Sequence, residues 1–263
     1  MKKRIFTGLI GGTIFLYLLY LGEMWYSTLI FLLASFSFYE FLKMKNRNLL
    51  SIEGGLSLIF IFLLVLIPNK VSNDEFTWFF TATIIYFLLL YLIPVVTKNQ
   101  VTIDHVAYTF FGGFYIGLGF LFFVLTRYLE SGFWAALFVI LITWTTDTFA
   151  YFSGLLLGSR KLWPQISPKK TIEGALGGIL GAIIVASVFQ WIFHPLTSIG
   201  TAIIIAFVIS IAAQIGDLME SALKRHLGVK DSGNLLPGHG GILDRFDSLL
   251  IVFPIFYIMQ FIL

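Results

Sequence analysis

Apolar residues fill the chain in blocks of about twenty, and the short stretches between blocks gather Lys, Arg, Asp, Asn, Gly and Pro. A block of that length matches the bilayer core crossed by one α-helix. Helices and closed barrels are the two ways a chain satisfies its backbone polar groups in lipid. The blocks are continuously apolar and do not alternate, so helices are predicted and a barrel is not. Nine spans follow. The first lies in MKKRIFTGLIGGTIFLYLLYLG, and the others fall near 23–42, 50–67, 76–96, 106–126, 133–157, 173–193, 201–223 and 248–263. The opening stretch imitates a signal peptide, but its apolar run is long for one and no A-x-A-like cleavage site follows. It is read as the first membrane helix. The predicted class is an all-α, polytopic integral membrane protein.

Composition supports this reading. Of 263 residues, 58% are hydrophobic and 12% charged, against roughly 25% charged in soluble domains. The chain has no cysteine, which excludes disulfides, a thiolate nucleophile and Cys-ligated zinc. The net charge of +3 says little, but its distribution says more. With the N-terminus in the cytoplasm and nine alternating spans, inner segments hold fifteen of the seventeen Lys and Arg residues, and outer segments hold Lys70 and Arg127. That asymmetry fits the positive-inside rule. It places the basic loops 158–172 and 224–247 on the cytoplasmic side of a multi-pass cell-membrane protein. The chain reads as one domain, 1–263, with scaffold spans in 1–100. Glu23 and Glu40 near span ends are given no chemistry.

Three later stretches carry polar residues into the apolar pattern. In the sixth span Thr143, Asp147, Tyr151, Gly154 and Gly158 share one helix face. Asp147 lies about 16 Å deep, where a carboxylate costs roughly 2.5–3.5 kcal/mol. It is either a hydrogen-bonded structural aspartate or part of a site. In the eighth span Ser210, Gln214, Asp217, Ser221 and Lys224 form a polar stripe, with Glu220 one turn from Asp217. The loop GSRKLWPQISPKKT is stiffened by Pro164 and Pro168. Thr171 and Glu173 are placed to open the seventh helix as cap and first-turn acid. Lys169 and Lys170 just ahead of that helix suit an anion, or are ordinary positive-inside flanking. Gly174, Gly177, Gly178 and Gly181 allow close helix approach.

The segment Ser221–Asp247, SALKRHLGVKDSGNLLPGHGGILDRFD, concentrates the remaining chemistry. Gly238, Gly240 and Gly241 flank His239 and give a backbone whose N–H groups can approach phosphate. Asp217, Asp244 and Asp247 offer hard oxygen ligands, with Arg245 between the last two. Mg²⁺ takes a few carboxylates plus phosphate oxygens and water. Zinc is less suited, because His226 and His239 lie far apart and no H-E-x-x-H occurs. Neither a P-loop nor a G-x-S-x-G elbow is present. Such residues suit phosphoryl or nucleotidyl transfer, in which cations neutralise charge and align the reactants.

The run S-x-x-K-R, then K-D, then P-G-H-G-G-x-x-D-R-x-D resembles the signature of the phosphatidate cytidylyltransferases, or CDP-diacylglycerol synthases. It stands here as Ser221, Lys224, Arg225, Lys230, Asp231, Pro237, Gly238, His239, Gly240, Gly241, Asp244, Arg245 and Asp247. TDTFAYFSG around Asp147 and SPKKTIEG from Ser167 to Gly174 are also similar to that family, and the likeness covers about 143–250. The resemblance implies transfer of CMP from CTP to phosphatidate, giving CDP-diacylglycerol and pyrophosphate. It implies a homodimer that uses Mg²⁺, with room for a second, monovalent cation such as K⁺, and no nucleic acid. It implies metal ligation by Asp217 and Asp244, and phosphate contact by Lys169 and Lys170. Read from the residues themselves, Lys169 or Lys170, Lys224 and Arg245 take catalytic roles by offsetting charge on the lipid phosphate and leaving group, and Asp247 orients Arg245 or ligates metal through water. Substrate or phosphate contacts fall to Ser167, Arg225, Lys230, Asp231, Gly238, His239, Gly240, Gly241 and Asp147, with His239 either a phosphate donor or a packing residue of the turn. The rival readings are a cytidylyltransferase or CTP-dependent kinase acting on another lipid, and a transporter. Internal repeats typical of transporters are not seen.

Overall fold

The computed structural model describes residues 2–67, 75–235 and 240–263, with side chains described from Gly8 onward and not at 75–76. Among these residues there are nine helices: α1 (Lys2–Leu21), α2 (Glu23–Met44), α3 (Ile52–Leu66), α4 (Glu75–Val96), α5 (Ile103–Arg127), α6 (Gly132–Leu157), α7 (Ile172–Phe193), α8 (Ile199–His226) and α9 (Leu243–Met259). Each coincides with a predicted span to within a few residues. Six are long and apolar enough to cross a bilayer, from α2 and α4 to α8. The stretch Gly8–Leu21 and α3 are apolar but shorter. The class is therefore all-α and polytopic.

One element departs from expectation. The loop after α6 folds into an antiparallel hairpin, β1 (Lys161–Trp163) with β2 (Ser167–Thr171). Lys161 pairs with Thr171 and Trp163 with Ser167, so β1 advances two residues while β2 advances four. The extra residues of β2 form an irregularity over Pro168, Lys169 and Lys170. Pro168 has no N–H to give a ladder, which is why the pairing breaks there.

The chain divides into two compact units: Met1–Val124 with Asp231–Arg245, and Leu125–Lys230 with Phe246–Leu263. In the first unit, α2 turns one face to its neighbours. Tyr26, Ile30, Ala34, Phe38 and Phe41 recur every three or four residues and are all fully buried. The Tyr108 hydroxyl of α5 donates to the Phe41 carbonyl at 2.6 Å. Phe60 of α3 stacks on Tyr86 of α4 with centroids 4.1 Å apart, and the Tyr86 and Ser57 hydroxyls meet at 2.7 Å. α1 and α2 are separated by Gly22 alone, whose φ of 70° makes the break.

In the second unit, α6 and α7 pack closely. A Cβ on Gly178 would stand 2.8 Å from the Thr146 carbonyl oxygen, and one on Gly174 2.8 Å from that of Ala150. On the other side, a Cβ on Gly154 would lie 3.0 Å from Thr171 Oγ1. These contacts leave no room for a larger side chain. Thr171 caps α7 by accepting the Gly174 N–H at 3.1 Å. Glu173, in the first turn, accepts from Ser159 N at 3.1 Å and Ser159 Oγ at 2.7 Å, and from Arg160 N. This fastens the start of the hairpin to the start of α7. α9 lies against α8, where a Cβ on Gly216 would stand 3.0 Å from Ser248 Cα. The Gln190 side chain closes the α7–α8 turn, donating to the Leu196 carbonyl at 2.8 Å and accepting its N–H at 3.1 Å.

Gly178→Val should overpack the α6–α7 contact by about 1–3 kcal/mol and lower the thermal transition of detergent-solubilised protein by several degrees. Gly55→Ala, where nothing lies within 4 Å of the new Cβ, should leave the transition unchanged or raise it slightly. Equal shifts for the two variants would refute the packing argument.

Candidate active site

Acidic and basic side chains of the second unit converge from four elements. α8 contributes Asp217, half-buried on the polar stripe that the sequence predicts. Lys170, from the irregular part of β2, brings its Nζ to 2.6 Å from Asp217 Oδ2 and 3.5 Å from the Gln214 carbonyl oxygen. Ser221, one turn on, donates its hydroxyl to Asp217 Oδ1 at 3.2 Å. Asp147 of α6 is exposed, with Asp217, Asp247 and Lys170 as its charged neighbours. One turn below Asp217, the buried Glu220 accepts from Lys224 Nζ at 3.1 Å. Glu220 also meets the Asp247 side chain, whose Oδ1 accepts the Ser248 N–H at 2.7 Å.

The ladder geometry separates the two lysines of SPKKT. Lys170 is half-buried and turned to the carboxylates, whereas Lys169 is exposed. Ser167 is half-buried at the start of β2. Arg225 and Lys230 are exposed, and Arg225 Nη1 donates to the Val229 carbonyl at 3.4 Å. They are not drawn into the acidic group.

A second arrangement belongs to the first unit. The two Asp244 carboxylate oxygens accept the Ser232 N–H at 3.1 and 3.0 Å, and Oδ2 also accepts the Gly241 N–H at 2.8 Å. The bond back to Gly241 ties the first turn of α9, which begins earlier than the apolar pattern indicates, to the loop ahead of it. Gly240 has φ of 82°, and a Cβ there would stand 2.8 Å from Asp244 Oδ2. Arg245 and Asp231 are exposed. Pro237, Gly238 and His239 lie outside the described residues. Glu40 of α2 joins this arrangement by accepting the Leu243 N–H at 2.9 Å. Sequence reasoning gave Glu40 no role, although a lone acid in an apolar span was a usable signal. Glu220 was seen on the stripe without its link to Lys224 and Asp247.

Among the described residues, no group of three or more His, Asp or Glu side chains is gathered closely enough to hold an ion by itself. Mg²⁺ does not require such a cage, because it is held by one or two carboxylates with phosphate and water completing the shell. In the second unit Asp217 is a half-buried carboxylate paired with Lys170, and Glu220 a buried one paired with Lys224.

The Cytidylyltransferase family model matches residues 2–263. The phosphatidate cytidylyltransferase of Bacillus subtilis (strain 168) is 43% identical over 98% of this chain and 97% of its own length. That of Staphylococcus haemolyticus (strain JCSC1435) is 40% identical over 98% of each chain. That of Staphylococcus aureus (strain COL) is 35% identical, again over 98% of each. With signature and full-length similarity in agreement, this chain belongs to the cytidylyltransferase family, among the phosphatidate cytidylyltransferases.

Proposed function

We propose that the protein transfers CMP from CTP to phosphatidate, giving CDP-diacylglycerol and pyrophosphate in phospholipid synthesis. Full-length similarity to phosphatidate cytidylyltransferases carries this reading. The bare chemistry of the cluster agrees with it. A phosphate oxygen of phosphatidate attacks the α-phosphorus of CTP. A new P–O bond forms, the bond between the α- and β-phosphates breaks, and pyrophosphate leaves. The nucleophile belongs to the lipid, so the protein supplies no Ser, Cys or His nucleophile.

What the chain supplies is charge and position. Lys170 and Lys224 are the cations best placed to offset charge developing on phosphate oxygens. Asp217 orients Lys170, and Glu220 orients Lys224. Asp217 is the proposed Mg²⁺ ligand of the second unit, and Asp244 is proposed as a ligand on the resemblance. Bound Mg²⁺ would neutralise triphosphate oxygens and polarise the α-phosphorus. Asp147 is proposed to extend the site toward the lipid headgroup. A homodimer and a cytoplasmic setting of loops 158–172 and 224–247 complete the proposal, the latter resting on the Lys and Arg asymmetry.

Purified protein given labelled CTP, phosphatidate and Mg²⁺ should form CDP-diacylglycerol, and chelation of Mg²⁺ should stop it. No lipid-linked CMP from well-folded protein would refute the activity. Asp217→Asn should abolish turnover while leaving the protein folded, and near-normal rates at limiting Mg²⁺ would refute its ligand role. Lys170→Ala should lower kcat/KM by about 10²-fold or more. Lys169→Ala should cost at least tenfold less than that, and the reverse order would show that the wrong lysine has been assigned.

A further inference from the structure

Glu40 is 1% exposed, one turn from the C-terminal end of α2. A carboxylate there opposes its own helix dipole and has lost its water, so it needs partners from elsewhere. The partners come from the two ends of the signature loop. Glu40 Oε2 accepts the Leu243 N–H at 2.9 Å, at the start of α9, and the Ser232 hydroxyl at 3.4 Å. The loop backbone closes around the carboxyl group from both sides. A Cβ on Gly233 would stand 2.6 Å from Glu40 Cδ, and one on Gly241 2.8 Å from it. Asp244 ties the same two ends through the Ser232 and Gly241 N–H groups. Glu40 Oε1 is buried and makes no hydrogen bond of good geometry among the described residues, although the Ile242 N–H also lies against the carboxyl group. Keeping a buried acid with one oxygen poorly answered is costly for plain packing, where an apolar residue would serve.

We propose that Glu40 is a positioning residue for the signature loop that carries Asp244. It holds Ser232 and Leu243 in register and so fixes the aim of Asp244. The proposal rests on the cytidylyltransferase reading for what the loop does, but the anchoring can be measured without it. Hydrogen exchange of the full-length protein in detergent is compared for wild type, Glu40→Leu and Glu40→Gln. Glu40→Leu removes the acceptor, and peptides covering 230–245 should exchange at least tenfold faster while those from α3 and α4 stay unchanged. Glu40→Gln keeps an acceptor for Leu243 but loses the charge, and should show at least a threefold rise. In the assay, Glu40→Leu should raise the KM for CTP at least tenfold and leave that for phosphatidate within twofold. Glu40→Gln should recover most of the CTP affinity.

Loop exchange unchanged in both variants overturns the proposal. So does a loss of thermal stability with both KM values unchanged, which marks an ordinary structural residue. If Glu40→Leu cannot be recovered folded, Glu40→Gln decides by its threefold exchange threshold. A wild-type protein that makes no CDP-lipid refutes the functional reading, while the exchange data still judge the anchoring.

Discussion

The second unit depends on delivering a lysine to a half-buried aspartate. Lys170 and Asp217 meet at 2.6 Å, with side chains 26% and 33% exposed. Each charge is part-buried, and losing one partner would leave the other without its counter-charge. Forming the pair places demands on the elements around it. Lys170 sits on a short hairpin strand that leads directly into α7, so its position is that of α7 itself. α7 is held against α6 by the glycines at 174 and 178, and Thr171 is seated over Gly154 and Gly158. Glu173 then gathers the Ser159 and Arg160 N–H groups and fixes the turn that begins the hairpin. The small residues of a helix contact thus become the means by which a cation is aimed.

The two units answer the same problem, a carboxylate away from bulk water, in different ways. In the second unit, Asp217 and Glu220 are answered by lysine ammonium groups and a serine hydroxyl. An ammonium group on a flexible stem can trade one anionic partner for another. In the first unit, Asp244 and Glu40 are answered mainly by backbone N–H groups of Ser232, Gly241 and Leu243. Backbone donors cannot leave without unfolding the loop, so this arrangement suits holding a shape.

Much of this was legible along the chain. Continuous apolar blocks locate the helices because lipid tolerates no unsatisfied backbone. The polar stripe of α8 was legible because helical period places Gln214, Asp217 and Ser221 on one side. Ser221 does reach Asp217, and Lys224 reaches Glu220. The hairpin was not legible. Its strands are three and five residues long, and two prolines in the stretch argue against any strand. The early start of α9 was hidden because its first turn carries Asp244 and Arg245 and so breaks the apolar pattern.

The sequence by itself determined the class, the helices and the family, because each is written in local composition or in a contiguous motif. It also determined which residues are charged where charge is costly. Only the tertiary structure decided what answers each charge. Lys169 and Lys170 are equivalent in sequence, yet one meets Asp217 and the other faces outward, because neighbouring residues of an extended strand point to opposite sides. Glu40 looks like an isolated acid in a scaffold helix, yet it holds residues about two hundred positions away, at sequence separations of 192 and 203. Such pairings depend on how helices far apart in the chain come to pack, which no local pattern encodes.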